Sequence, residues 1–328
     1  MDIDFMLAWV DGGDPEWVRL RNSHCEESEQ ITESRFRDWG VLKYWFRAVE
    51  AYAPWVRKIH FVTCGQTPQW LNTDHPKLCL VDHTDYIPAE YLPTFNPHTI
   101  ELNFHRIPGL AEQFVYFNDD MYLNGPTAPT DFFRDGKPCD SAVLLQLVSR
   151  VQRDSFKHIL CNDMAFINDH FRKHTVMGRH WTKWFSPKYG KYLLYNIYYG
   201  IPGGFSAFYN FHIPSAMRKS TFETVWGMEP ELLDETCRHK FRHMADVNQY
   251  IMSYYNICTG NFVPRAANFG RYYTIGADSE ALHQDIAEHR HKLICANDNI
   301  GSIDFEREQE QLIAAFEKAL PEKSSFEK

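Results

Sequence analysis

Four apolar runs punctuate the first third of the chain, each stopped by a polar or glycine-bearing turn. Ile3-Asp4-Phe5-Met6-Leu7-Ala8-Trp9-Val10 ends at Asp11-Gly12-Gly13-Asp14-Pro15, and Ile59-His60-Phe61-Val62-Thr63 ends near Gly65. Leu78-Cys79-Leu80-Val81 ends at Asp82, and Phe114-Val115-Tyr116-Phe117 ends at Asn118-Asp119-Asp120. Nearly continuous apolar runs of this length predict strands buried on both faces. Between the first two, Leu42, Trp45, Phe46 and Val49 recur at i, i+3, i+4 and i+7, an amphipathic helix stopped by Pro54. Strand, helix, strand in this order implies a parallel sheet. Asn96-Pro97 reads as an N-cap with a first-turn proline, and Ile100, Phe104 and Ile107 mark a short helix that ends near Pro108-Gly109. Glu101 and His105 share one face of it, with Arg106 beside them.

The second half reads as more helical. Phe156, Leu160, Met164, Ile167 and Phe171 keep helical spacing, as do Val247, Tyr250, Ile251, Tyr254 and Tyr255 before Gly260. The aromatic stretch from Trp181 to Phe208 has no clear period. A single α/β domain over residues 1–328 is expected, with a helical insertion or acceptor-side lobe between about 135 and 205. The last helix, carrying Phe305, Leu312, Ile313, Phe316 and Leu320, has an acidic outer face and is expected to pack on the core rather than lie on a membrane.

Composition narrows the function classes. The chain has 328 residues, 44% of them hydrophobic, enough for one large core. Basic residues number 34 against 43 acidic, a net charge of −9, which argues against a nonspecific nucleic-acid or anionic-membrane binder. A phosphate-bearing substrate therefore needs a local cluster of arginine, lysine or metal. No signal peptide or run of about 18 apolar residues is evident, so a cytoplasmic location is expected. Eight cysteines without a Cys-x-x-Cys pair argue against a disulfide framework and a structural zinc site; they are expected to be buried thiols.

In an open parallel sheet, ligands bind outside the carboxyl ends of the strands, where this chain carries Asp11, Gln66, Asp82, Asn118, Asp119 and Asp120. Adjacent carboxylates there suit a hard cation such as Mg²⁺, although Asp-Asp pairs also cap helices or face solvent.

These residues belong to four blocks that span almost the whole chain. The first is Trp9-Val10-Asp11-Gly12-Gly13-Asp14-Pro15. The second starts at Arg35-Phe36-Arg37-Asp38 and includes Gly65-Gln66-Thr67-Pro68, Ile100-Glu101, His105-Arg106-Ile107-Pro108-Gly109 and Tyr116-Phe117-Asn118-Asp119-Asp120. The third is His212-Ile213-Pro214 with Phe241-Arg242-His243-Met244-Ala245-Asp246, and the fourth is Ile294-Cys295-Ala296-Asn297-Asp298-Asn299-Ile300. In these blocks the chain resembles the Stealth proteins, which include bacterial capsule and exopolysaccharide phosphotransferases and the N-acetylglucosamine-1-phosphotransferase of animals. Cys64, Ala216 and Gly301 depart from the usual pattern, so no catalytic role is assigned to them.

The resemblance implies a glycosyltransferase-A-like, mainly parallel sheet flanked by helices. It also implies a nucleotide-sugar donor, usually a UDP-sugar, and a polysaccharide or lipid-linked glycan acceptor, with peripheral contact to membrane-bound assembly machinery. The acceptor hydroxyl would attack the sugar-side phosphorus, giving a phosphodiester and UMP. Such transfer needs metal ligands, cationic clamps and a base. Asp119, Asp120 and Asp298 are the expected ligands of Mg²⁺ or Mn²⁺; Arg37, Arg106 and Arg242 the expected diphosphate clamps; Glu101 or His212 the base. Trp9, Asp11, Gly12 and Gln66 are expected at the nucleotide. Each has a structural rival: Trp9 as core, Glu101 paired with Arg106, His212 as a packing residue. A glycosyltransferase releasing UDP and a non-catalytic carbohydrate-binding protein are the competing functions.

Overall fold

The computed structural model describes residues 2–25, 38–149, 154–201, 203–298 and 303–328. Strands β1 (Ile3–Ala8), β2 (Ile59–Thr63), β3 (Leu78–Asp82) and β4 (Gln113–Phe117) pair in parallel in the order β4-β1-β2-β3. β5 (Met121–Leu123) leaves this sheet immediately, and β6 (Ser215–Arg218) returns to its edge antiparallel to β4. A second, smaller sheet pairs β7 (Gly270–Thr274) parallel to β8 (Leu293–Asn297), with β5 antiparallel on the other side of β8. The α/β architecture with a mainly parallel sheet is the one that strand–helix alternation and the family resemblance lead one to expect.

Alternate residues of β1 enter two different cores, which is why the strand is apolar apart from Asp4, whose buried carboxylate pairs with Arg57 and His60. Ile3, Phe5 and Leu7 pack with Tyr44, Trp45, Phe46 and Val49 on one face; Met6 packs with Leu102, Phe104 and Ile251 on the other. The helices are α1 (Pro15–Asn22), α2 (Leu42–Tyr52), α3 (Pro97–Leu102), α4 (Ser155–His170), α5 (Leu193–Gly200), α6 (Tyr250–Cys258) and α7 (Phe305–Ala319), with further helices between them. The stripe expected on α2 widens to six consecutive buried residues, Tyr44 to Val49, because α7 covers its outer side. There Tyr44 stacks on Phe316 at 5.5 Å, and Arg47 donates to Glu327 at 2.8 Å and to the Leu320 carbonyl at 2.8 Å.

The structure adds strands to the second half and corrects two sequence expectations. The second half is more helical, as its periodicity suggests, but β6, β7 and β8 also lie there; Arg271 and Tyr272 interrupt β7 with exposed positions, while β8, Leu293-Ile294-Cys295-Ala296, is a buried apolar run. On α4 the buried face comprises Ile159, Asp163, Met164, Phe166 and Ile167, rotated from the apolar stripe so that Phe156 opens to solvent. That rotation also exposes Cys161, whereas Cys139, Cys237, Cys258 and Cys295 are buried, and all eight cysteines are free thiols.

Candidate active site

The cleft begins where β1 stops. The Gln66 amide holds the following loop from behind: its oxygen accepts from the Asp11 amide at 2.8 Å, and its nitrogen donates to the Asp11 carbonyl at 3.0 Å and to Asp14 at 2.9 Å. Asp14 in turn caps α1 through the Glu16 amide. This clamp leaves Trp9, Asp11 and Gly12 on the cleft wall and Gln66 outside it. Trp9 does two things at once, stacking on Phe61 at 5.6 Å and lining the cleft.

Asp120 sits at the junction of the two sheets. The Asn118–Met121 turn ends β4 and starts β5, and the Ala296 amide of β8 donates to the Asp120 carbonyl at 2.8 Å. One carboxylate oxygen, Oδ2, accepts from Asn297 at 3.0 Å and from the Cys295 thiol at 3.2 Å, with His212 Nε2 at 3.8 Å. The other, Oδ1, is buried with no hydrogen-bond partner. Burial works to raise the Asp120 carboxyl, but His212, Asn297 and Cys295 together hold it below the ordinary range. A buried acceptor without a donor is costly unless a cation or water meets it. Asp119 and Asp298 line the same chamber, so the available donors are hard carboxylate oxygens, which fit Mg²⁺ or Mn²⁺. Burial and the Asp120 charge push the Cys295 thiol well up, which keeps it a hydrogen-bond donor to Asp120. Asp119 opens onto the cleft, yet the surrounding protein and the neighbouring Asp120 carboxylate push it up to about 7.

Two titratable side chains face this chamber. His212 adopts a left-handed backbone with φ of 49°, uncommon outside glycine, held by the Asn210 side chain accepting from its amide at 2.7 Å. Its Nδ1 lies 3.4 Å from the Tyr250 hydroxyl, and its ring meets Tyr272 edge-on. Glu101, on α3, is buried and accepts from the Tyr116 hydroxyl at 2.9 Å. Burial pushes its carboxyl up to about 7 against the lowering pull of Tyr116, Arg242 and His212.

Arg242 lines both this chamber, about 460 Å³, and an adjoining one of about 910 Å³ that also shares Trp9, Glu101 and Asp119 in its wall. The buried Asp246 steadies the turn bearing Arg242: it accepts from the His243 amide at 2.9 Å and from Asn96, the N-cap of α3, at 2.9 Å, and pairs with His239 at 2.6 Å. One carboxylate thus ties the Arg242 loop to the helix that bears Glu101.

The fold brings together Trp9, Asp11, Gly12, Glu101, Asp119, Asp120, His212, Arg242 and Asp298. Arg106 is elsewhere: it lies in the turn after α3 with its guanidinium 5.0 Å over the Trp226 ring, outside the lining of both chambers. Arg37 lies outside the described residues. The residues that sequence reasoning passed over are Tyr116, Asp246, Asn297 and Cys295. All four stand inside the quoted blocks, but nothing local indicates which distant acid each one contacts.

Such a cleft, acid-lined and at the carboxyl edge of a mostly parallel sheet, lies where α/β enzymes bind their ligands. Residues 35–140 match Stealth protein CR2, conserved region 2. Over 331 residues the chain is 41% identical to the capsular polysaccharide phosphotransferase WcwK of Streptococcus pneumoniae, covering 99% of this chain and 98% of that one. It is 40% identical to the exopolysaccharide phosphotransferase cps2G of Lactiplantibacillus plantarum, covering 100% and 96%. The receptor polysaccharide phosphotransferase WefC of Streptococcus gordonii is 37% identical, covering 99% and 98%. Among solved structures, the galactosyltransferase LgtC with donor and acceptor sugar analogues covers 95% of both chains at 10% identity and a TM-score of 0.41. The chain belongs to the Stealth family, whose members named here are polysaccharide phosphotransferases, and is a transferase.

Proposed function

We propose that this transferase moves a hexose or N-acetylhexosamine 1-phosphate from a nucleotide sugar to a hydroxyl of a polysaccharide or lipid-linked glycan. The observation that carries the reading is the meeting, in one cleft, of an unpartnered carboxylate oxygen on Asp120, the Arg242 guanidinium and the titratable side chains of His212 and Glu101. Sugar binding alone calls for stacking rings and hydroxyl partners, not for this set. The names of the relatives, polysaccharide phosphotransferases, support the same chemistry.

The acceptor oxygen bonds to the sugar-side phosphorus as the bond from that phosphorus to the bridging oxygen breaks, so a UDP-sugar leaves as UMP. The hydroxyl proton passes to His212, whose ring sits with Nδ1 toward the Tyr250 hydroxyl and Nε2 toward Asp120. Arg242 offers a planar fork to two phosphate oxygens as charge builds there. Trp9, Asp11 and Gly12 orient the nucleotide. Asp120, with Asp119 and Asp298, would hold Mg²⁺ or Mn²⁺, which supplies charge neutralisation for the diphosphate when bound. The released nucleotide tests the proposal. With a UDP-sugar donor, chromatography should find UMP and phosphorus NMR a new phosphodiester; UDP with no phosphodiester would make the enzyme a glycosyltransferase instead.

A further inference from the structure

Helix α5 is apolar on both sides, with Leu193 and Tyr199 packed against the core and a second apolar stripe outside. Leu194, Ile197, Tyr198 and Ile201 fall at i, i+3, i+4 and i+7 and so share one face, with Ile201 keeping helical dihedrals just past the helix end. That apolar face points to solvent: the four side chains are 66%, 53%, 70% and 75% exposed. The inward side is also anchored by a polar residue. Asn196 is buried, accepts from the Leu144 amide at 2.7 Å and donates to the Ala142 and Trp184 carbonyls at 2.7 and 2.6 Å. A helix normally buries an apolar stripe, so this one holds its outer stripe ready for another surface.

Charge says which surface. From His170 to Ile201 the chain carries six lysines and arginines and no acidic residue, while the rest of the chain carries all of the net negative charge. Arg172, Arg179, Lys188 and Lys191 are exposed, and the same segment exposes Trp181. Aliphatic and aromatic side chains projecting from a basic, acid-free segment are the make-up of a helix lying in a lipid headgroup region. An isologous contact between two copies would instead set like charges face to face. The stripe also stands close to the chemistry: Tyr195 of α5 meets Tyr209 at 6.4 Å, Tyr209 meets Phe211 at 4.6 Å, and Phe211 precedes His212.

We infer that the outward face of α5 with its basic surroundings docks the enzyme on a bilayer of anionic phospholipid. This deepens the proposed function by presenting the cleft to an acceptor carried on a lipid, and it rests on that reading only for its purpose, since docking requires no catalysis. The test is co-sedimentation of the full chain with phosphatidylcholine vesicles with or without phosphatidylglycerol, alongside light scattering of the protein alone. The wild type should pellet with phosphatidylglycerol vesicles, release as salt rises, and bind pure phosphatidylcholine about ten-fold less well. Ile197→Asp/Ile201→Asp should lose about ten-fold or more in vesicle binding. Arg179→Glu/Lys191→Glu should lose binding on the anionic vesicles alone. Both variants alter exposed side chains, so an unchanged melting curve and unchanged turnover with a soluble acceptor are expected. Wild-type protein that stays in the supernatant with anionic vesicles would overturn the inference, as would vesicle binding indifferent to the apolar pair. A wild-type oligomer that Ile197→Asp/Ile201→Asp dissolves, without lipid binding, would identify the stripe as a protein interface. Each of these outcomes leaves the released-nucleotide assay untouched.

Discussion

Glu101 shows how a single buried carboxyl trades stability for readiness. Its pKa rises from an ordinary 4.5 to about 7, so the folded state keeps a proton that the unfolded chain releases between those values. The stability of that proton-bound form is intact below the unfolded pKa and is lost as pH rises through the folded one. Glu101→Gln should therefore melt like the wild type near pH 4 and above it near pH 8, by a difference on the order of 3 kcal/mol. Equal melting at both pH values would mean that the carboxyl is not desolvated. Kinetics assign the base separately. His212→Ala should lower kcat by roughly 10²–10⁴ and erase the acidic limb of the rate profile, while Glu101→Gln keeps the limb at reduced height. The opposite pattern would move the base to Glu101. At this scale the sequence named both residues through their blocks. It did not show the Tyr116 bond to Glu101 or the left-handed backbone of His212, because both depend on where distant segments come to rest.

Elements legible in the chain are those whose period is clean. β1 to β4 are mostly apolar on both faces because both faces are covered, the exceptions including the paired Asp4 and His60, and α2, α3 and α7 follow helical spacing with recognisable ends such as Asn96 and Pro97. β7 was hidden for the opposite reason, since a strand with exposed Arg271 and Tyr272 shows no clean apolar run, whereas β8, Leu293-Ile294-Cys295-Ala296, is buried like β2. α7 closes the fold rather than resting on a membrane. Phe316 is buried between Tyr44, at 5.5 Å, and Tyr122, at 4.9 Å, and Tyr122 lies on β5 beside the Asp119-Asp120 turn. Phe316→Ala should cost about 3–5 kcal/mol in denaturant unfolding. A loss under about 1 kcal/mol would show that the terminal helix contributes little to that core.

For the molecule as a whole, the acid-lined cleft in a negatively charged chain makes a divalent cation the natural partner of a diphosphate. Turnover should fall to background in excess EDTA and return with Mg²⁺ or Mn²⁺. Mn²⁺ should also raise the melting temperature of the wild type and leave that of Asp120→Asn unmoved, because only the native carboxylate pair favours the bound state. Full turnover in EDTA, or an equal thermal shift in Asp120→Asn, would place the metal elsewhere. Net charge was a poor guide to surfaces, since its value of −9 averages an acidic body with the acid-free basic segment around α5. By itself the sequence determined the strand and helix alternation, the acids just past the strand ends and the family, because these are written in local period and contiguous blocks. Only the tertiary structure decided that Asp120 meets Asn297 and His212, that Arg106 turns away to Trp226, and that α5 faces its apolar stripe outward. Those outcomes hang on contacts between segments far apart in the chain, and no local pattern encodes which side of an element its neighbours will cover.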